Sequence, residues 1–147
     1  MGRLSGKVVA ITGASSGLGA VLAAVCAGEG ARLSLFARNA EKLAETAQAC
    51  QEAGGEALVV VGDVTRPEDG QRLVAETAER YGRIDYLIAN AGVSMWAPFA
   101  AVEDIDLFRK LVEVNYLGAV YCVHPALPHL EQSGGAFVAV SSVQGKV

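Results

Sequence analysis

The chain has 147 residues, of which 52% are hydrophobic and 19% charged, a balance that predicts one compact domain over residues 1–147 rather than a disordered chain. Its formal net charge of −4, without a basic stripe, argues against nucleic acid as a partner. No apolar stretch approaches the roughly 20 residues that span a bilayer, and no cleavable signal is visible, so the cytoplasm is the expected compartment.

Short strand-like runs alternate with helical patterns, which is typical of a parallel sheet covered by helices on both faces. The first run has the continuous apolar core Val8–Ile11, as expected for a strand buried on both sides. The predicted strands are Lys7–Thr12, Ala31–Ala37, Ala57–Val61, Ile84–Ala89 and Ala136–Val140.

Two helices are predicted between the first three strands. The first runs from Gly17 to about Glu29, with Leu18, Val21, Leu22 and Val25 on one face. Asn39 is expected to cap the second, whose Ala40, Leu43, Ala44 and Ala47 fall at core-facing spacing.

Two further helical regions follow. The third helix is expected to begin with a capping box at Thr65-Arg66-Pro67-Glu68 and to place Leu73, Val74 and Ala78 inward. A loop through Met95, Trp96 and Pro98 then leads to a helical region from about Asp104 to Leu130, whose end Pro125 and Pro128 should kink or fray.

Right-handed crossovers between these units place the strands in the order 3-2-1-4-5. The predicted fold class is therefore α/β, a Rossmann-type doubly wound parallel sheet in a three-layer α/β/α arrangement. In such sheets ligands bind at the carboxyl ends of the strands, and every unusual motif of this sequence falls at such an end.

The first motif is T-G-A-S-S-G-L-G, from Thr12 to Gly19, between strand one and helix one. Its glycines permit a tight turn, close approach of backbone N–H groups to a pyrophosphate, and close packing of helix on strand. A small-residue turn without a ligand is the plain alternative. A Walker-type loop is disfavoured because it needs Lys followed by Ser or Thr after its last glycine, where this chain has Ala20.

Arg38 follows the second strand, where a site that prefers NAD usually carries a carboxylate for the ribose 2′-hydroxyl. An arginine can bind a 2′-phosphate instead, which predicts NADP(H) as the cofactor. The alternative is a solvated arginine near a helix start.

These motifs, in this order, resemble the short-chain dehydrogenase/reductase family from about Leu4 to Gly145. The glycine turn resembles the family's cofactor motif, Asp63-Val64 its adenine contact, and Asn90-Ala91-Gly92 its strand-four motif. The implied cofactor-binding residues are Gly13, Ser15, Ser16, Gly17, Leu18, Gly19, Arg38, Asp63, Val64, Asn90, Ala91 and Gly92.

The resemblance also implies two catalytic residues. Asn115 is similar to the family's active-site asparagine, which supports a water-linked proton path. Ser142 fits the serine that orients the carbonyl better than Ser141 does, because a short run to a glycine follows it at Val143-Gln144-Gly145. Ser141 is then expected to be the last residue of the strand.

The family's tyrosine acid/base and its lysine partner stand in a Tyr-x-x-x-Lys spacing about a dozen residues after the serine. Asp85, Asn90, Val120 and Pro125 stand four places after the four tyrosines, so none fits. The resemblance therefore identifies the chain with the N-terminal, cofactor-binding half of a reductase, lacking the family's C-terminal strands and helices. A homo-oligomer is possible, and the outer face beside strand five is expected to be apolar and unmatched.

Three functions remain open. The first is an NADP-dependent oxidoreductase that interconverts a small-molecule carbonyl and an alcohol. The second is a non-catalytic NADP-binding module or fragment that needs another chain, and the third is another nucleotide-binding Rossmann enzyme.

No metal site is expected, since His124 and His129 lack companion ligands and the three cysteines are interpreted as reduced, buried thiols. Met95 and Trp96 could reach a substrate pocket or pack in a loop.

Overall fold

A computed structural model describes residues 2–142. Its five parallel strands form one sheet in the order β3-β2-β1-β4-β5, which confirms the predicted fold class and strand order. The strands are β1 (Val8–Thr12), β2 (Arg32–Ala37), β3 (Glu56–Val61), β4 (Tyr86–Ala89) and β5 (Ala136–Ala139).

Five α-helices flank the sheet: α1 (Gly17–Gly28), α2 (Ala40–Glu52), α3 (Pro67–Tyr81), α4 (Asp106–Val112) and α5 (Gly118–Ser133). A single 3₁₀ turn, Phe99–Ala101, precedes α4, and a π-helical turn, Glu113–Leu117, joins α4 to α5. Among residues 2–142, no helix is long and apolar enough to cross a membrane.

Two apolar clusters, one on each face of the sheet, give the predicted three layers. On one face, β1 and β2 pack through Ile11 and Leu35 against α1 and α2, which contribute Ala23 and Leu43. On the other face, β2, β3 and β4 pack against α3 and α5, with Phe36 fully buried. Strand β1 is buried along its whole length, because helices cover both of its faces.

Helix α1 buries a different face from its apolar one. Its buried residues are the small Gly19, Ala23, Cys26 and Ala27, whereas Leu18, Val21 and Val25 are more than half exposed. Small side chains let the helix axis approach the sheet closely, so Leu18, Val21 and Val25 face outward, while Leu22 packs partly against the core.

Helix α2 is capped by Asn39, whose side-chain oxygen accepts a hydrogen bond from Lys42 N, as predicted. The capping box predicted for α3 is wrong. The N-cap residue is Arg66, whose side chain makes no capping hydrogen bond. The Thr65 hydroxyl donates to Asp63 Oδ1, and Glu68 pairs with the Arg66 guanidinium.

The long helix ends three residues beyond the predicted Leu130 and is not frayed at its prolines. Helix α5 continues through Pro125 and Pro128 to Ser133, where Gly134 ends it in a left-handed conformation with φ 64°. Strand β5 is shorter than predicted, since it ends at Ala139 and Ser141 follows outside it.

Candidate functional site

A cleft of about 1070 Å³ opens at the carboxyl ends of the strands, where the winding of the sheet reverses. Its walls are the turn after β1, the segments that follow β2, β3 and β4, and one side of α4 with the start of the π-helical turn. The predicted residues that line it are Gly13, Ser15, Ser16, Leu18, Arg38, Asp63, Val64, Asn90, Ala91 and Gly92. Gly17, Gly19, Asn115 and Ser142 are not among the lining residues.

Three glycines of the turn after β1 have distinct structural roles. Gly13 has φ 66° and lies so close to Ala91 that an added Cβ would be 2.8 Å from its Cα. Gly19, in the first turn of α1, faces the Gly13 carbonyl at a distance that leaves no room for a side chain. Gly17 has φ 54° with open space around it, so its backbone is accessible. The turn is therefore compact where it meets the sheet and exposed at Gly17, and the neighbouring Ser15, Ser16 and Leu18 line the cleft.

The first turn of α1 presents backbone N–H groups beside this open turn. Ser16 is the N-cap residue and its side chain makes no capping bond, and Ser15, Ser16 and Leu18 all line the cleft. Unpaired amides at a helix N-terminus, together with the helix dipole, favour an anion there.

Asn90 and Thr12 join the turn to the end of β4. The Asn90 side-chain nitrogen donates to the carbonyl oxygens of Thr12 (3.1 Å) and Gly13 (3.3 Å). The buried Thr12 hydroxyl accepts from the backbone nitrogens of Asn90 (3.1 Å) and Ala91 (3.0 Å). Thr12 was not a predicted site residue, although its place at the last position of β1, directly before Gly13, is the signal that could have identified it.

Arg38 follows β2 and lines the cleft with an exposed side chain. Within the described part of the chain, its guanidinium has no hydrogen bond or ion pair. Its neighbour Asn39 is occupied as the cap of α2. Arg38 is thus a cation at the cleft whose hydrogen-bond donors are available to a ligand.

Asp63 and Val64 follow β3 and form the wall beside Arg38. Asp63 Oδ1 accepts from the backbone nitrogen and the hydroxyl of Thr65, both at 2.9 Å. Asp63 N donates to Asp69 Oδ2 at 2.9 Å. These bonds fix the turn and leave Asp63 Oδ2 as the carboxylate oxygen without a hydrogen bond inside residues 2–142.

Asn115 lies in the π-helical turn and bonds to the segment after β4. Its Oδ1 accepts from Val93 N and its Nδ2 donates to Val93 O, each at 2.8 Å. An added Cβ on Gly92 would be 3.3 Å from Asn115 Oδ1, so this side chain reaches the Asn90-Ala91-Gly92 segment. The catalytic role predicted for Asn115 stays a prediction.

Ser142 is exposed three residues beyond the end of β5. The Val143-Gln144-Gly145 run that singled it out lies outside the described residues, so its catalytic role also stays a prediction.

The wall formed by α4 was missed by sequence reasoning. Asp106, Arg109, Lys110 and Glu113 line the cleft at the i, i+3, i+4, i+7 spacing of one helix face. Charged residues at that spacing usually form a solvated face, so the pattern alone does not indicate a site. Arg109 pairs with Asp106 at 3.5 Å, and both side chains are about three-quarters exposed.

The thiols are poor candidates for a nucleophile. Burial raises the pKa of Cys122 to about 12 and that of Cys50 to about 11, and the nearby Cys26 sulfur contributes to the latter. All three cysteines are free and buried. Within residues 2–142, no three His, Cys, Asp or Glu side chains are grouped in a way that could hold a metal ion.

Comparison with known proteins identifies the family. The family model for short chain dehydrogenase matches residues 7–147. The chain belongs to the short-chain dehydrogenase family.

Among curated relatives, 11-beta-hydroxysteroid dehydrogenase 1A of Arabidopsis thaliana is 44% identical over 141 residues, which are 95% of this chain and 40% of that protein. Two solved structures align over most of the chain. One is a short-chain type dehydrogenase/reductase from Mycobacterium marinum, with a TM-score of 0.91 and 28% identity over 98% of this chain and 59% of that one. The other is carveol dehydrogenase from Mycobacterium avium in complex with NAD, with a TM-score of 0.92 and 29% identity. The alignment covers 100% of this chain and 58% of that one.

The chain therefore spans 40% of the length of that plant relative and 58–59% of the chains in those two solved structures. The family assignment agrees with the resemblance inferred from the ordered motifs between Thr12 and Ser142.

Proposed function

We propose that this cleft binds NADP(H) and that the chain is the cofactor-binding portion of an oxidoreductase that interconverts a carbonyl and a secondary alcohol. One observation carries the proposal. The glycine turn opens its backbone to a cleft that also holds Arg38, a cation without a protein partner among residues 2–142, one strand away.

The residues present fit the parts of such a cofactor. The pyrophosphate would bind the amides at the start of α1, where the backbone around Gly17 is open. The adenine would lie beside Asp63 and Val64, with Asp63 Oδ2 as an acceptor for its amino group. The nicotinamide end would then lie toward Asn90, Ala91 and Gly92. When bound, the cofactor supplies or accepts the hydride.

Arg38 supports a preference for the 2′-phosphate. Ala37 ends β2 and Arg38 follows it, at the place where a carboxylate would repel that phosphate, whereas a guanidinium can bind it with two hydrogen bonds. The structurally similar carveol dehydrogenase is in complex with NAD, so the proposed preference for NADP(H) rests on Arg38 and not on the likeness of fold. The preference must come from individual residues such as Arg38.

The test is a comparison of NADPH and NADH affinity by calorimetric titration. We expect the chain to bind NADPH at least about tenfold more tightly than NADH, because charge-assisted hydrogen bonds contribute about 1.5–3 kcal/mol. Arg38→Asp should reverse this preference. Arg3→Asp, which makes the same charge change at an exposed residue outside the cleft lining, should leave it unchanged. No binding, or an unchanged ratio in Arg38→Asp, would remove the basis of the assignment.

For the chemistry, we propose that Ser142 orients the substrate carbonyl and that Asn115 supports the proton path. A reduced carbonyl oxygen needs a proton donor and hydrogen bonds as charge develops on it. No tyrosine of the chain has a lysine four places on, so the donor pair of the family is not in the sequence given. The second candidate, a non-catalytic NADP-binding module, applies to these 147 residues taken alone, because the family's pair is expected about a dozen residues after Ser142.

Turnover separates the two candidates. We expect the 147-residue chain alone to give negligible oxidation of NADPH with ketone or aldehyde substrates, measured by loss of NADPH absorbance. Activity that survives Ser142→Ala would contradict both the role of Ser142 and the need for residues from elsewhere. Hydroxysteroid ketones are suitable first substrates, because the plant relative carries a hydroxysteroid dehydrogenase name.

A further inference from the structure

The turn between β3 and α3 is held by two charged side chains of α3. Asp69 Oδ2 accepts a hydrogen bond from Asp63 N at 2.9 Å, and Asp69 Oδ1 accepts one from Arg72 Nη2 at 3.0 Å. The same Arg72 nitrogen donates to the Val61 carbonyl at 2.6 Å. Helix α3 therefore fixes the backbone on both sides of Gly62.

Gly62 itself is tightly surrounded. Its N–H donates to the Ala37 carbonyl at 3.0 Å. An added Cβ would be 2.6 Å from the buried ring of Phe36 and 3.0 Å from Arg72 Nη2. The path of the backbone into Asp63 is thus determined by contacts with β2 and with α3.

The Asp69 side chain has the charge that this role requires. Only 14% of it is exposed. The Asp63 N–H lowers the pKa of Asp69, burial opposes this, and the ion pair with Arg72 lowers it further, so that the net shift is downward. Asp69 is consequently ionised at neutral pH and accepts hydrogen bonds with both oxygens.

We propose that Asp69 is a positioning residue that sets selectivity for the amino group of an adenine ring. It holds the Asp63 backbone in place, the Thr65 bonds occupy Asp63 Oδ1, and Oδ2 is left to accept from that amino group. The inference rests on the proposed function, since it requires an adenine nucleotide in the cleft. The simpler role for Asp69 is that of an acidic residue in the first turn of α3, which stabilises the helix and nothing else.

A cofactor analogue separates these roles. In the hypoxanthine analogue of NADPH a carbonyl oxygen replaces the adenine amino group, so a carboxylate acceptor meets an oxygen instead of a donor. We expect the chain to bind NADPH about tenfold more tightly than this analogue, because the lost bond involves a charged acceptor. Asp69→Ala should reduce that ratio about fivefold, while the NADPH to NADH ratio, which depends on Arg38, stays unchanged.

Two control variants sharpen the measurement. Asp69→Asn keeps an oxygen that can accept from Asp63 N and should retain most of the adenine selectivity. Glu76→Ala removes the other acidic partner of Arg72, whose Oε1 lies 3.4 Å from Arg72 Nη1. This variant should retain the full adenine selectivity. Equal loss of affinity for NADPH and its analogue in Asp69→Ala, or an unchanged ratio, would overturn the proposal.

Arg72→Met provides a second route if Asp69→Ala does not fold. It removes the anchor of Asp69 but keeps the acceptor, so the adenine selectivity should fall in the same direction by a smaller factor, and an unchanged ratio overturns the proposal. If the unmodified chain binds neither NADPH nor NADH, the proposed function fails and this inference fails with it. If it binds NADPH through Arg38 but does not distinguish the analogue, only this inference fails.

Discussion

The Asp85 carboxylate accepts four hydrogen bonds although only 1% of its side chain is exposed. Arg83 donates two of them, at 2.6 and 2.8 Å, and Lys7 and the Val8 N–H donate the others. Burial alone would raise the pKa of Asp85, but Arg83, the Val8 N–H and Lys7 together lower it. Asp85 precedes β4 and therefore lies at the amino end of the sheet.

We expect Asp85→Asn to lower the free energy of unfolding at neutral pH by about 2 kcal/mol, because Lys7 and Arg83 are exposed enough to be solvated after the loss of their partner. The folded pKa lies below the unfolded one, so this stabilisation is present above the unfolded pKa and is lost as pH falls through the folded pKa. Urea denaturation across this acidic range measures it. Glu56→Gln, at an exposed pair with Arg80, should cost less than about 0.5 kcal/mol, and an equal effect of both variants would contradict this account.

At the scale of residues, sequence reasoning could place side chains that directly follow a strand, because the carboxyl ends of parallel strands share one edge. Arg38, Asp63 and Asn90 line the cleft for this reason. Sequence reasoning could not find contacts that depend on packing between segments distant in the chain. The hydrogen bond from Asp63 N to Asp69 and the pairing of Asn90 with Thr12 have no periodic signal in the sequence.

The helical segment from Asp106 to Ser133 combines α4, the π-helical turn and α5. Pro125 has no N–H for the Tyr121 carbonyl, and that carbonyl lies against Gly70 of α3, where an added Cβ would be 2.5 Å from the oxygen. Gly118 similarly brings the start of α5 close to Val64, since an added Cβ there would be 2.9 Å from Val64 Cβ. Two glycines thus allow α5 to pack closely on α3 and on the turn after β3.

Asn115 links this segment to the strand-four motif, and its removal should destabilise the protein. We expect Asn115→Ala to lower the free energy of unfolding by about 2 kcal/mol, since two hydrogen bonds to Val93 are lost. Faster hydrogen exchange of the Val93 amide should accompany it. Gln132→Ala, at an exposed position of α5, should change stability by less than about 0.5 kcal/mol. Unchanged protection of Val93 would count against the structural role.

At the scale of elements, the five strands were predictable because each is a short apolar run bounded by turn residues. Two features of the helices were not predictable from the sequence. The outward face of α1 carries the larger apolar residues, so its hydrophobic pattern indicates the wrong face. Helix α5 continues through Pro125 and Pro128 to Ser133, beyond the end that these prolines predict.

The molecule as described leaves large apolar residues exposed at the side of the sheet that ends in β5. All four residues of β5 are exposed, and Phe137 and Val138 are 39% and 43% accessible. Within residues 2–142, β5 pairs only with β4. Exposed apolar residues beside strand five agree with the predicted apolar outer face, and such an edge strand promotes association when these 147 residues are produced alone.

We expect Val138→Lys to reduce concentration-dependent association of the chain, measured by light scattering, because a charged side chain disfavours pairing at a sheet edge. Gln132→Lys adds the same charge at an exposed position outside β5 and should leave association unchanged. Equal behaviour of the two variants would show that association occurs through another surface.

The charged cluster around Asp85 and the cleft around Arg38 lie at opposite ends of the same strands. Thermal resistance and ligand preference can therefore be altered independently, by changing residues at one end without disturbing the other. Acid should weaken the amino end of the sheet first where the Asp85 carboxylate loses its charge, because the hydrogen bonds from Lys7 and Arg83 then lose their ionic character.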